Sequence, residues 1–203
     1  MLPSAPFRGG KFSQVSIMKS TEQITALAAL VAELPVFAGK LQQLADDLQL
    51  DLSAYEADHI SLRTHDTELA EHWVAGLRQC ATVLSDNNIN GRPVYLFLLH
   101  QPLALLHWQI PVIELPFPKG KQYAHQGWEH VELVLPGEPA TLTERAAALL
   151  PSPLPSGVII KESHPRADAD NERLPNPTLA VSRDNITIKF HPFTLQEIVE
   201  SER

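Results

Sequence analysis

A single cysteine, Cys80, excludes an intramolecular disulfide and any zinc cage built from cysteines. Basic residues are scarce as well. Sixteen Lys and Arg stand against 24 Asp and Glu, a formal net charge of −8, so the broad basic face that neutralises phosphates is missing and nucleic acid is not the expected partner. No run approaches the roughly 18 apolar residues of a membrane helix. There is no GxGxxG, no GxxxxGK[ST], no GxSxG and no HExxH, the usual marks of dinucleotide binding, P-loop nucleotides, serine hydrolysis and zinc proteolysis. What these absences leave is a globular chain of 203 residues, expected in the cytoplasm, with a small-molecule partner and no membrane.

What is present in excess is histidine, nine residues, and proline, 17 residues. Residues 1–18 are polar, Gly- and Pro-containing and unpatterned, without the apolar core of a secretory signal. They are expected to form a flexible segment, and Met18 is as plausible a translation start as Met1. Residues 19–203 are expected to form a single domain.

Ser20 and Gln23 have the spacing of a capping box, and apolar residues follow at helical period on both sides of Pro35. Residues 20–50 are therefore predicted to form a hairpin of two short helices joined at Pro35, serving as packing, a cap or a dimer surface. From residue 57 the period changes to two. Asp58-His59-Ile60-Ser61-Leu62-Arg63 alternates like a half-buried strand, and residues 67–83 have a helical period. Residues 84–99 predict a hairpin turning at Asn90-Gly91, and Trp108–Leu115 is a further strand. After residue 126 the order repeats. Trp128–Leu135 is a strand, 140–150 a helix, and Val158–Lys161, Thr178–Ser182 and Ile186–Phe190 are strands. A polar loop over 164–177 and a short helix over 192–203 complete the chain.

The repeat survives comparison residue by residue. Asp58-His59-Ile60-Ser61-Leu62 matches Glu129-His130-Val131-Glu132-Leu133, 71 residues on. Val112-Ile113-Glu114-Leu115 similarly matches the segment from Thr187 to His191. An α+β fold of tandem βαβββ modules follows, with module 1 over 57–117 and module 2 over 127–193 plus the C-terminal helix.

ADHISLR, NGRP, GWEH, ERLPNPTLAV and TIKFHP together resemble the YecM-like family of uncharacterised bacterial proteins, from about residue 25 to 201. The doubled module resembles the vicinal oxygen chelate superfamily more broadly, the group of glyoxalase I, extradiol dioxygenases and bleomycin-resistance proteins. That resemblance implies curled mixed sheets around a trough, with a divalent metal held by one residue from each of four strands.

Strand alternation says which residues would face such a trough. If Ile60, Leu62, Val131, Leu133, Ile113, Leu115, Ile188 and Phe190 pack, then His59, Glu114, His130 and His191 point the other way. Imidazole and carboxylate donors suit Zn, Ni, Fe or Mn. Superfamily members carry a carboxylate where this chain has Lys189, so the fourth ligand is open between His191 and Glu132. Glu132 is also the candidate general base. Arg63 and Lys189 are candidates for holding a substrate carboxylate; the alternatives are ion pairs with Glu132 and Glu114 respectively. Asn171, Arg173 and Asn176 lie in a loop that could form a lid.

Three functions compete. One is a metal-dependent isomerase, lyase or oxygenase acting on a small carbonyl or carboxylate substrate that chelates through oxygen. Another is a metal-free protein that sequesters a small molecule, as bleomycin-resistance proteins do. The third is an inert scaffold whose N-terminal helices dock a partner. A monomer or a homodimer would serve any of them.

Overall fold

The computed structural model describes residues 18–164 and 174–201. Its centre is one mixed sheet. Strands β1 (Glu56–Arg63), β2 (Ala81–Ser85), β3 (Asn88–Ile89), β4 (Arg92–Leu105) and β5 (Trp108–Pro116) form the first half. Strands β6 (Gly127–Val134), β7 (Ile159–Ser163), β8 (Thr178–Arg183) and β9 (Ile186–His191) form the second. The order across the sheet is β2-β4-β5-β1-β6-β9-β8-β7, with β3 hung on β4. In the first half β1 runs parallel to β5, and β5 and β4 are antiparallel; in the second, β6 runs parallel to β9, and β9 and β8 are antiparallel. The halves are thus topologically equivalent, and the expected duplication is present.

They meet where β1 pairs antiparallel with β6. His59 lies opposite Glu132, Ile60 opposite Val131 and Ser61 opposite His130. Exchanging the halves (His59 for His130, Ser61 for Glu132) reproduces the same pairs, so the seam is a pseudo-twofold axis. By the same exchange Glu114, paired with Ser61, corresponds to Lys189, paired with Glu132.

One face of the sheet is covered by α1 (Ala28–Asp47), α2 (Thr67–Leu77) and α3 (Leu142–Ala147). The apolar positions of α1, among them Phe37, Leu41, Leu44 and Ala45, repeat at helical spacing and join Ile60, Leu62, Ile113, Val131, Leu133, Ile188 and Phe190 in one core. Thr25–Asp47 is long and apolar enough, by length and composition alone, to cross a membrane; here it buries that stripe under the sheet. Trp128 fixes α1 from below by donating its indole N–H to the Leu30 carbonyl at 2.8 Å.

Two local expectations change. The predicted helical hairpin is a single helix that passes through Pro35, preceded by 3₁₀ turns at Thr21–Gln23 and Thr25–Leu27. Proline removes one backbone bond to Val31, but Leu30 on one side and Phe37 and Leu41 on the other bury onto the same core, and that packing keeps the axis continuous. The Gln23 carboxamide does accept from the Ser20 N–H at 2.9 Å, closing only the first 3₁₀ turn. The helix predicted over 67–83 leaves its axis at Leu77, because Ala81–Val83 pair with Phe97–Leu99 as strand β2. The Asn90-Gly91 turn forms as expected, both residues taking positive φ (52° and 76°) between β3 and β4.

The opposite face is asymmetric. Over the first half lies α4 (Leu195–Ser201), which buries Leu195 and Val199 against Val94, Leu96 and Val112. Beside it an open cavity spans the seam, lined by residues of both halves, and no helix among the described residues covers the second half on this face.

Candidate metal centre

The site sits on this second face, astride the seam. Two β-bulges build it. On β1 the register runs from Ala57 opposite Leu133 to His59 opposite Glu132, leaving Asp58 as an extra residue. On β6 it runs from His130 opposite Ser61 to Trp128 opposite Leu62, leaving Glu129 as the extra residue. A bulge interrupts alternation locally, so an acid and the histidine after it can face the same way. Asp58 Oδ2 lies 2.9 Å from His59 Nδ1, and Glu129 Oε2 is hydrogen-bonded to His130 Nδ1. A carboxylate only accepts, so each histidine donates through Nδ1 and turns Nε2 inward.

Those inward nitrogens are buried and lack a hydrogen bond: His59 Nε2 and His130 Nε2 have none among the described residues. Around them carboxylate oxygens gather. Glu132 Oε2 is 3.0 Å from His59 Nε2 and 3.6 Å from His130 Nε2; Glu114 Oε1 is 3.8 Å from His130 Nε2. Donor atoms of His59, Glu114 and His130 lie within 4.8 Å of one another. Donors on a common cation at about 2.1 Å stand about 3.0–3.4 Å apart, so these spacings are close to the edges of a coordination shell. Glu114 and the two supporting acids are themselves held: Ser61 donates to Glu114 Oε1 at 2.7 Å, Thr187 to Glu129 Oε1 at 2.9 Å, and the Leu195 N–H to Asp58 Oδ2 at 2.9 Å. The donors and their supports therefore fit a divalent ion held by His59, His130 and Glu114, with Glu132 at the fourth vertex.

The electrostatics agree. Four carboxylates (Asp58, Glu114, Glu129, Glu132) share the site with two cations (Arg63, Lys189), leaving about two negative charges when the imidazoles are neutral. Without a cation, protons take part of that role. Burial opposes the His59 imidazolium, but the charge of Glu132 and the bond to Asp58 outweigh it and push the pKa up to about 10. Burial likewise opposes ionisation of Glu132, yet the neighbouring His191 and His59 hold it well below the usual carboxylate range. Glu129, despite burial, is held at about 2 by His130, Lys189 and Arg63. Glu114 is lowered against the effect of burial by His59, His130 and Lys189.

His191 is in a different position. It is completely buried, with Nε2 3.4 Å from Asp58 Oδ2 and Nδ1 3.6 Å from Glu132 Oε1, and it groups with Asp58 and His59 rather than with Glu114 and His130. Both its ring nitrogens are buried without a hydrogen bond among the described residues. Burial and the neighbouring His59 lower its pKa despite the pull of Glu132 and Asp58. Arg63 pairs at 2.6 Å with Glu129 instead of Glu132, and its guanidinium lies 4.7 Å from the Tyr123 ring centroid. Lys189 has no carboxylate within 4.0 Å among the described residues, Glu114 included. Asn176 lines a ≈ 190 Å³ cavity beside the centre, with its buried Oδ1 unbonded among the described residues. Asn171 and Arg173 lie outside the described residues. Asp58 and Glu129 are not among the expected site residues: strict alternation puts them on the side of Ile60 and Val131, and the signal for them is the acid-His dipeptide occurring in both modules.

A duplicated βαβββ protein with histidines and carboxylates buried at its seam is the class that fold and site define. The chain belongs to the YecM family, which matches residues 26–202 under the description "YecM protein". Protein YecM of Escherichia coli (strain K12) is 48% identical over 189 residues, covering 92% of this chain and 99% of that one. An uncharacterized protein of Haemophilus influenzae is 40% identical over 178 residues, covering 84% and 92%. A solved structure described as "Structural Genomics, Protein EC4020" superposes with a TM-score of 0.85 at 46% identity, covering 92% of this chain and 98% of that one.

Proposed function

We propose that the chain is a divalent-metal-dependent enzyme of the isomerase, lyase or oxygenase type, working in the manner of the vicinal oxygen chelate superfamily on a small carbonyl or carboxylate substrate. The observation that carries the reading is the convergence of two bulge-oriented, unbonded Nε2 atoms beside Glu114. Zn, Ni, Fe and Mn all accept this donor set, and such an ion supplies Lewis-acid polarisation of a substrate oxygen. His59, His130 and Glu114 hold it, and Glu132 is the fourth donor if the shell closes. If three donors suffice, Glu132 is the carboxylate that moves a substrate proton. Both halves of one chain contribute donors, so a monomer supplies the whole centre. The single cysteine supports a cytoplasmic address.

Elemental analysis of purified protein after reconstitution, beside His59→Ala and His130→Ala, tests the reading. It expects near one equivalent in the wild type and large losses in both variants. Metal retained equally by both would refute the site. Less than about a tenth of an equivalent in the wild type would favour the second reading, a metal-free binding protein of the bleomycin-resistance type. The observation on that side is Lys189, a cation at the twofold equivalent of Glu114.

A further inference from the structure

On the open face of the sheet the two halves differ in charge as well as in cover. One row of residues crosses the second half in register: Lys161 on β7, Ala180 on β8, Lys189 on β9 and then Glu132 on β6. Its twofold counterpart in the first half is Ser85, Leu96 and Glu114, and Leu96 there is covered by α4. Where that row carries Leu96 under α4, its counterpart presents two lysines separated by the smallest side chain in the row.

Neighbouring strands are about 4.8 Å apart, so Lys161 and Lys189 are rooted about 10 Å from each other across Ala180. Two ammonium groups that each donate at about 2.8 Å to opposite oxygens of one carboxylate or phosphate span about 8 Å, so one such group fits between them. The notch belongs to a ≈ 480 Å³ cavity that reaches Glu114 and His130 of the metal centre. Arg63, Arg92, Lys119, Lys121, Lys161 and Lys189 all line it. Six of the chain's 16 basic residues thus face one cavity in a protein of net charge −8, against Glu114 and Glu129 on the acidic side. Three of the six have structural work: Arg63 pairs with Glu129, Arg92 donates to the Phe117 carbonyl at 3.3 Å, and Lys119 donates to the Asn90 carbonyl. Lys161 and Lys189 have no carboxylate within 4.0 Å among the described residues.

We propose that the Lys161–Ala180–Lys189 row is an anion subsite, and that the substrate is two-headed, with an oxygen-chelating end at the metal centre and a terminal carboxylate or phosphate between the two lysines. The second clause rests on the metal-dependent reading; the anion subsite does not. A concentrated positive field beside a negative centre orients such a molecule in one direction only.

Three probes share a 2-hydroxycarboxylate end and differ at the other: lactate, malate and 3-phosphoglycerate. Isothermal titration calorimetry at low ionic strength gives their affinities for the wild type, Lys161→Ala and Lys161→Arg. A chromophoric chelator measures metal content of each protein in parallel. Malate or 3-phosphoglycerate, or both, should bind about tenfold or more tightly than lactate, the expected size of a charge-assisted contact. Lys161→Ala should remove most of that preference, Lys161→Arg should restore it, and lactate should be indifferent to both. Whichever probe depends more on Lys161 identifies the terminal group. Equal affinities for all three probes, no binding by any, or a preference unmoved in Lys161→Ala would overturn the subsite. A Lys161-dependent preference in protein that takes up no metal would keep the subsite and remove the metal-dependent reading. Stoichiometric metal without the preference would do the reverse.

Discussion

If the centre takes a metal as proposed, its affinity should depend on residues that are not ligands. Asp58 and Glu129 hold the Nδ1 protons of His59 and His130, and this fixes both the tautomer and the direction of Nε2. Asp58→Asn and Glu129→Gln keep an oxygen that can accept the same proton but remove the charge that strengthens the bond. Loss of such a supporting carboxylate typically weakens metal binding 10–100-fold. Glu129, with its pKa held at about 2, is ionised throughout the neutral range, so Glu129→Gln removes a full charge there. We expect a 10–100-fold loss in each single variant, measured by zinc competition against a chromophoric chelator. Asp58 has a second duty, accepting the Leu195 N–H at the start of α4, so Asp58→Asn needs a melting curve alongside. Glu129→Gln leaves α4 untouched but also disturbs the Arg63 pair and the Thr187 bond, so it too is read beside a melting curve. Affinities within threefold of wild type in both variants, with His59→Ala and His130→Ala abolishing binding, would refute the claim that the bulges orient the ligands.

Glu132→Gln tests the fourth vertex: a loss of metal in the chelator assay marks Glu132 as a donor, while metal retained at the wild-type level removes it from the shell. Gly76→Ala should lower stability by about 1–3 kcal/mol in urea denaturation, because a Cβ there would meet Leu27 Cδ2 at 2.9 Å and overpacking outweighs the gain in helix propensity. Val199→Asp, which places a charge against Val94, Leu96 and Val112, should undock α4 and raise binding of an apolar dye, leaving the main core's cooperative melt in place.

The duplication was legible because both halves kept the same strand-helix-strand order and the same pattern at their first strands, and alternation alone brought His59, Glu114 and His130 to one face. Alternation failed at Asp58 and Glu129, because a bulge depends on the partner strand's register and leaves no trace in one strand read by itself. His191 has the right parity, but it ends β9 two residues past Lys189 and groups with Asp58 and His59 instead of Glu114 and His130, a choice of neighbours that only the packed sheet makes. Pro35 misled for a related reason. Local propensity argues for a break, and the burial of Leu30, Phe37 and Leu41 on one surface overrides it. The cationic row was out of reach, since Lys161, Ala180 and Lys189 become neighbours only through three strands' pairing.

The antiparallel seam also bears on how the molecule comes into being. While a nascent chain leaves the ribosome, the first half can assemble with β1 as a bare edge, its amides and its pair of polar residues at positions 58 and 59 waiting for a strand some 70 residues downstream. Until β6 arrives, that edge is open to the wrong partner, including a second copy of itself, whose β1 carries the same acid-His pattern as the missing strand. Slowing synthesis between the two halves should therefore increase dimeric or aggregated product, while a faster passage through residues 117–126 should favour the closed single chain.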